Sequence, residues 1–239
     1  MSNTHIQKEN PIEPTSYLWR QLFLESDLPR DGTVIEVAPG YEPKIGNALA
    51  LLGFRGTVFL IEPDREAASH IQNTYQHILP RATVRIVKKT LQGIRTKIDI
   101  PCGINALVAS HPFDDMVIAH IIGRAGFFSE EREGGAEMSP VMQKLYGGIW
   151  NKQYADGARA TTAIWKRFIE KSKPHYFIAS QYPSHTLTVK GLAKRQESGF
   201  LVLEQLKKFY KKYLVEKNYK RSFDFKGDPR WWIVAREPQ

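Results

Sequence analysis

Three groups of residues have the types and spacing to do chemistry. In Thr33-Val-Ile-Glu-Val-Ala-Pro-Gly-Tyr-Glu-Pro-Lys44, Glu36 lies inside an apolar run that passes through Ala38 into a Pro39-Gly40 turn. In Val58-Phe-Leu-Ile-Glu-Pro-Asp64, a second apolar run ends in Glu62 and Pro63. Glycine lets a backbone turn tightly and approach a ligand, and an acid at the tip of the next strand is where such folds grip ribose hydroxyls. The two groups together have the layout of a nucleotide-binding βαβ unit and point to an adenosine-type cofactor. The third group, Ser110-His-Pro-Phe-Asp-Asp115, puts His111, Asp114 and Asp115 after another apolar run, where they can hold or move a proton. Its plainer reading is helix capping, with Asp114 or Asp115 closing a helix through Met116 to Ile122.

These groups need a sheet edge to converge on, and the hydrophobic pattern supplies one. Strands are expected at Thr33–Ala38, Thr57–Ile61, Thr83–Val87, Ile104–Ala109 and Tyr176–Ser180. Amphipathic helices are expected at Pro14–Glu25, from Pro43 to Leu52, from Asp64 through Ile78 and at Arg159–Lys171, the last with Ala163, Ile164, Arg167 and Phe168 near one face. Phe200–Leu214 reads as another, burying Leu206, Phe209, Tyr210, Tyr213 and Leu214 and exposing Lys207, Lys208, Lys211 and Lys212. Tyr219–Phe225, a Gly227-Asp228-Pro229 turn and Trp231–Ala235 read as a closing hairpin. Strands alternating with helices argue for an α/β fold, a doubly wound, mostly parallel sheet, in one domain of 1–239 with a loose polar arm at 1–13. Residues 121–158 break the alternation: Gly and charge precede Met138, Met142, Tyr146 and Trp150, as in a lid or substrate wall.

The bulk numbers set limits. Hydrophobic residues at 42% and charged residues at 25% allow a sizeable core and exclude wholesale disorder. Cys102 is the single cysteine, so no intramolecular disulfide framework exists, and a buried or neutral thiol in a reducing compartment is expected. No apolar leader opens the chain and no uncharged run approaches the roughly 18 residues a membrane span needs, so a cytoplasmic protein without membrane contact is expected. His120, His175 and His185 lack metal-ligand spacing, and no metal is expected. A net charge of +9 biases partners toward polyanions. The sharpest local excess in that respect is 205–221, where seven basic residues meet Glu216 alone.

The whole layout resembles the class I S-adenosylmethionine-dependent methyltransferase family over roughly residues 30–238. Glu36-Val-Ala-Pro-Gly40 is similar to the family's glycine-rich first motif, Glu62 stands where its ribose-binding acid stands, and Ser110–Asp115 follows the fourth strand, where substrate and catalytic residues lie. The resemblance implies that Ala38, Pro39 and Gly40 receive the methionine end of S-adenosylmethionine, that Glu36 faces its amino group directly or through water, and that Glu62 binds the ribose diol, with Pro63 and Ser110 beside them. It also implies that His111 or Asp114, with Asp115, orients the acceptor's proton. The chain departs from the family in having one glycine of the usual three, and Lys88-Lys89-Thr90 where an acid often holds adenine.

A small-molecule acceptor is favoured, because it suits a lid rich in Gly, Met and aromatic residues; the alternative, a nucleic-acid acceptor, suits the basic 205–221 segment. Aminocarboxypropyl transfer on the same fold is not excluded by the residues. Against enzymatic function altogether stands a binding module that has kept the fold and lost the cofactor, motivated by the missing glycines. A nicotinamide-dependent dehydrogenase would use Glu62 equally well, but it lacks its Gly-x-Gly-x-x-Gly motif here.

Overall fold

The computed structural model describes residues 12–123, 147–148, 151–215 and 228–236. Its frame is a six-stranded sheet in the order β3-β2-β1-β4-β5-β6, made of β1 (Thr33–Val37), β2 (Thr57–Ile61), β3 (Thr83–Val87), β4 (Ala106–Ser110), β5 (Tyr176–Ser180) and β6 (Trp232–Arg236). The first five strands are parallel and β6 is antiparallel to β5, with Ile178 opposite Val234. Val34, Ile35, Val58, Leu60, Leu107, Val108 and Ile178 are fully buried, as expected for strands covered on both faces.

One face is covered by α1 (Pro14–Glu25), α2 (Lys44–Leu51) and α3 (Arg65–Ile78), which bury Leu18, Trp19, Leu22, Ile45, Leu49, Ile71 and Tyr75 against it. Proline opens α1, and the Asp64 carboxylate caps α3 by accepting from the N–H groups of Glu66 and Ala67 at 2.9 and 3.1 Å. The other face is covered by α4 (Phe113–Ile122), α5 (Asn151–Ser172) and α7 (Ala193–Phe209), with the short α6 (His185–Val189) before α7. The β3-to-β4 crossover holds no α-helix, only a 3-10 turn at Leu91–Gly93. Leu91, Ile100 and Ile104 take a helix's place against that face.

Several sequence-based expectations shift. The helix expected at Arg159–Lys171 begins at Asn151 and buries Tyr154, Ala158, Thr161, Trp165, Phe168 and Ile169, while Ala163 and Arg167 face outward. Of the segment read as a lid, 121–122 finish α4 and 151–158 begin α5, where Gly157 packs on Val117 and Ile121 of α4. Residues 124–146 and 149–150 lie outside the described residues, as do most of the arm and Tyr219–Phe225 of the hairpin. Trp232–Arg236 is the strand expected of that hairpin, and Leu214 bridges its outer side antiparallel at Ala235. Cys102 is exposed. No described helix is long and apolar enough to cross a membrane, and no metal-like cluster of His, Cys, Asp or Glu occurs among the described residues.

Candidate functional site

Strand order reverses between β1 and β4, which opens a crevice at their carboxyl ends. In open α/β sheets, ligands bind at that switch point. Two residues other than glycine take left-handed backbone conformations on its rims: Ala38 (φ 52°) after β1 and His111 (φ 63°) after β4. Each costs about 1–2 kcal/mol, which the surrounding packing must offset.

On the β1–β2 side, Gly40 has φ 59° with nothing near the place of a Cβ, so glycine is required there by backbone conformation and not by space. Its N–H donates to Glu62 Oε2 at 3.1 Å, while Glu62 Oε1 accepts from the Asp64 N–H at 3.0 Å. One fully buried carboxylate thus ties the β1–α2 turn to the β2–α3 turn. Burial pushes its pKa up to about 7 against the two N–H donors. Glu36, also buried, points to the α2–α3 side, where the Tyr75 hydroxyl donates to it and itself accepts from the Gly46 N–H at 2.7 Å. Burial pushes Glu36 up to about 8, opposed mainly by the Tyr75 bond. A Cβ on Gly46 would stand 2.6 Å from the Tyr75 ring, so this contact requires glycine.

On the β4–β5 side, Asp114 is 1% exposed, with Oδ1 accepting from Gln181 Nε2 at 2.8 Å and Oδ2 from Arg195 Nε at 3.0 Å. Arg195 also pairs with Asp115. Neither acid caps α4; the Phe113 N–H instead donates to Gln181 Oε1 at 3.1 Å, so the cap comes from the end of β5. His111 Nε2 lies 2.6 Å from the Tyr182 carbonyl, which can only accept, and this places the ring proton on Nε2. Nδ1 then carries a lone pair and faces Asp114 Oδ1 at 3.5 Å. Burial lowers the His111 pKa despite the Asp114 charge. Lys44, at the start of α2, donates to the Tyr182 hydroxyl at 3.2 Å and pairs with Glu42 and Glu13. Burial opposes its charge, but Tyr182 and the two acids outweigh it and hold its pKa above the usual lysine value.

The expected residues therefore gather at one edge but are not all turned into one cleft. Ala38, Pro39, Gly40 and Pro63 are partly exposed on the rim, Glu62 is covered, and Glu36 is committed to Tyr75. Ser110 ends β4 opposite Ser180 of β5, and both hydroxyls are buried without a hydrogen-bond partner among the described residues. The sequence reading missed Lys44, Tyr75, Gln181, Tyr182 and Arg195. Only Lys44 had a readable signal, as a charge just inside the helix after the glycine turn; the others arrive from distant segments.

No protein-family model and no curated protein matches the chain. Among solved structures, that of PH0851 is similar over 93% of this chain and 45% of its own, at 11% identity and a TM-score of 0.53. The glycopeptide N-methyltransferase MtfA complexed with S-adenosyl-L-methionine is similar at 12% identity over 77% of this chain and 61% of its own, with a TM-score of 0.39. An S-adenosylmethionine-dependent methyltransferase from Clostridium acetobutylicum matches at 9% identity over 74% and 52%, with a TM-score of 0.41. At these identities the likeness is one of fold, and only the first superposition is close enough to argue from. The chain spans under half the length of that first structure. The doubly wound, mostly parallel sheet expected from the sequence is the fold observed, with six strands and an antiparallel last pair.

Proposed function

We propose that the chain transfers a methyl group from S-adenosylmethionine to an acceptor, with the cofactor over the carboxyl ends of β1 and β2 and the acceptor over the turn between β4 and α4. The observation that carries this reading is Glu62, an acid at the tip of β2 that holds Gly40 and Asp64 together beside the switch point. A carboxylate has about four acceptor positions, and the two N–H bonds leave two for a ribose diol. The buried, unpartnered hydroxyls of Ser110 and Ser180 on the same edge fit a polar ligand, because such groups are normally satisfied.

When bound, the cofactor would supply a sulfonium methyl group, whose carbon an acceptor lone pair would attack in line while the bond to sulfur breaks and the sulfur leaves as a neutral thioether. The backbone of Ala38, Pro39 and Gly40 receives the methionine end, and Pro63 flanks the ribose side. Glu36 reaches the amino group only through water or by giving up Tyr75. His111 takes the acceptor's proton on Nδ1 only when that nitrogen turns from Asp114 Oδ1, which it faces at 3.5 Å, toward the crevice. Asp114 stabilises the imidazolium that results, and Asp115 with Arg195 fixes the turn that carries both. The preference for a small acceptor drew on residues 121–158, most of which lie outside the described residues, so the acceptor's class must be sought on other surfaces.

A second reading is favoured by one observation: Glu62 is 0% exposed, as expected of a binding module that has lost the cofactor. Thermal unfolding separates the two readings. S-adenosylhomocysteine at 100 times its dissociation constant should stabilise the protein by about 2.7 kcal/mol, with no effect from NAD. No shift with either ligand would favour the module.

A further inference from the structure

The basic segment singled out in the sequence, 205–221, is partly spent in the fold. Lys207 donates to the carbonyl of Arg230 at 2.6 Å and pairs with Glu204, and 216–221 lie outside the described residues. A different basic surface lies along β3. Between positions 81 and 99, Arg81, Arg85, Lys88, Lys89, Arg95 and Lys97 stand against Asp99 as the sole acid. Asp99 is taken by Lys89 at 2.8 Å and by Arg95 at 3.6 Å. Arg81, Arg85, Lys88 and Lys97 are exposed and have no acidic partner among the described residues.

The fold explains why this charge is displayed. Among the described residues β3 is the last strand of the sheet and is paired only with β2, and its residues are exposed or half-buried. The helixless crossover leaves the Arg85 side of β3 open, so the guanidinium lies over the Phe59 ring at 5.7 Å instead of under a helix. A charged edge also blocks edge-to-edge pairing, and that alone would explain one or two such residues. It does not explain Lys88, Arg95 and Lys97, which lie beyond the strand.

We infer that the β3 margin, from Arg81 and Arg85 to Lys88 and Lys97, is a docking strip for the phosphate backbone of a nucleic-acid strand. The strip deepens the methyl-transfer reading by naming the acceptor's class, and it rests on that reading for this alone. Its carboxyl end at Lys88 is three strand spacings from β4, about 14 Å. At about 3.4 Å per phosphate along a stacked strand, some four phosphates span that distance. A strand held on β3 therefore places a nucleotide over the switch-point crevice. The contacts are to phosphate, so they set position and affinity and leave sequence unread.

The test is fluorescence polarisation of a mixed-sequence single-stranded RNA 20-mer and its DNA equivalent against salt, using the full chain, the R81Q/R85Q/K97Q variant and a K208Q/K211Q/K212Q control. Both strands should bind the wild type with affinity that falls steeply with salt. The triple β3 variant should bind at least tenfold more weakly at about 100 mM salt, with a log–log salt slope shallower by about 2, at about 0.7 per lost single-strand contact. The control should stay within about threefold of wild type. Unchanged affinity and slope in the β3 variant would overturn the strip, as would binding confined to anionic phosphatidylserine vesicles. S-adenosylhomocysteine titrated into the same proteins keeps the two claims apart. Cofactor binding without nucleic-acid binding defeats the strip alone, and nucleic-acid binding without cofactor binding defeats methyl transfer and leaves the strip standing.

Discussion

Each half of the carboxyl edge holds a pair of buried or half-buried acids, and the two halves handle them in opposite ways. Asp114 and Asp115 share Arg195, and Gln181 satisfies the remaining Asp114 oxygen, so that side is an ion-paired lock joining α4 to α7. Glu36 and Glu62 have only neutral donors, a tyrosine hydroxyl and two backbone N–H groups, and their pKa values stand near 8 and 7. Lys44 is near enough to oppose the Glu36 shift only weakly. The lesson is that a buried acid with its own arginine is scaffold. A buried acid without a cation holds its proton to higher pH, and its ionisation waits on a positive charge that a ligand would bring. A ligand bearing a sulfonium and an ammonium would bring that charge to the β1–β2 side.

The largest expected effect breaks the locked half. Arg195→Met leaves Asp114 buried without its cation and should destabilise the protein by about 3–5 kcal/mol in denaturant unfolding. A loss below about 1 kcal/mol would show that the lock does not hold the fold. Gly46→Ala attacks the other half through the Tyr75 ring and should cost about 1–3 kcal/mol.

The pH dependence comes next and belongs to the β1–β2 half. Both glutamates have folded pKa values above the ordinary 4.5, so between about pH 4.5 and 8 the folded state holds more protons than the unfolded one. Their contribution to stability is therefore largest at the acid end, falls as pH rises through that window, and is flat above it. Glu36→Gln, which cannot ionise, should flatten the slope measured by urea midpoints. An unchanged slope would mean that the charge is already compensated.

The smallest effect is the most selective. Ser110→Ala removes a buried hydroxyl that has no partner, so stability should stay within about 0.5 kcal/mol of wild type or rise. S-adenosylhomocysteine affinity should nevertheless fall severalfold by calorimetry. Equal affinity would remove Ser110 from the ligand site.

The same contrast marks what could be read in the sequence. Thr57–Ile61, Thr83–Val87, Tyr176–Ser180 and Pro14–Glu25 carry unbroken apolar runs or clean periodicity and have the expected bounds. The helix expected at Phe200–Leu214 instead spans Ala193–Phe209. Its buried stripe begins with Arg195, Ser198 and Gly199, whose polarity and size hide the period, and Phe209, Tyr213 and Leu214 are substantially exposed. Arg195 and Gly199 are in the stripe because of Asp114 and Gln181: Arg195 pairs with the acid, and a Cβ on Gly199 would stand 2.8 Å from the amide. The β1–β2 half was legible because its turn and its acid lie within one local unit. The β4–β5 lock was not, because Asp114 and Arg195 stand 81 positions apart and neither shows its partner.

The central claim is that the uncompensated half of the edge is a cofactor site governed by Glu62. Calorimetric titration of S-adenosylhomocysteine into wild type and Glu62→Gln at pH 8, with folding of each checked by its unfolding curve, tests it most directly. Wild type should bind at micromolar concentration and the folded variant at least tenfold more weakly, the scale of one charge-assisted hydrogen bond at about 1.5–3 kcal/mol. No binding to wild type, or equal binding to both proteins, would contradict it.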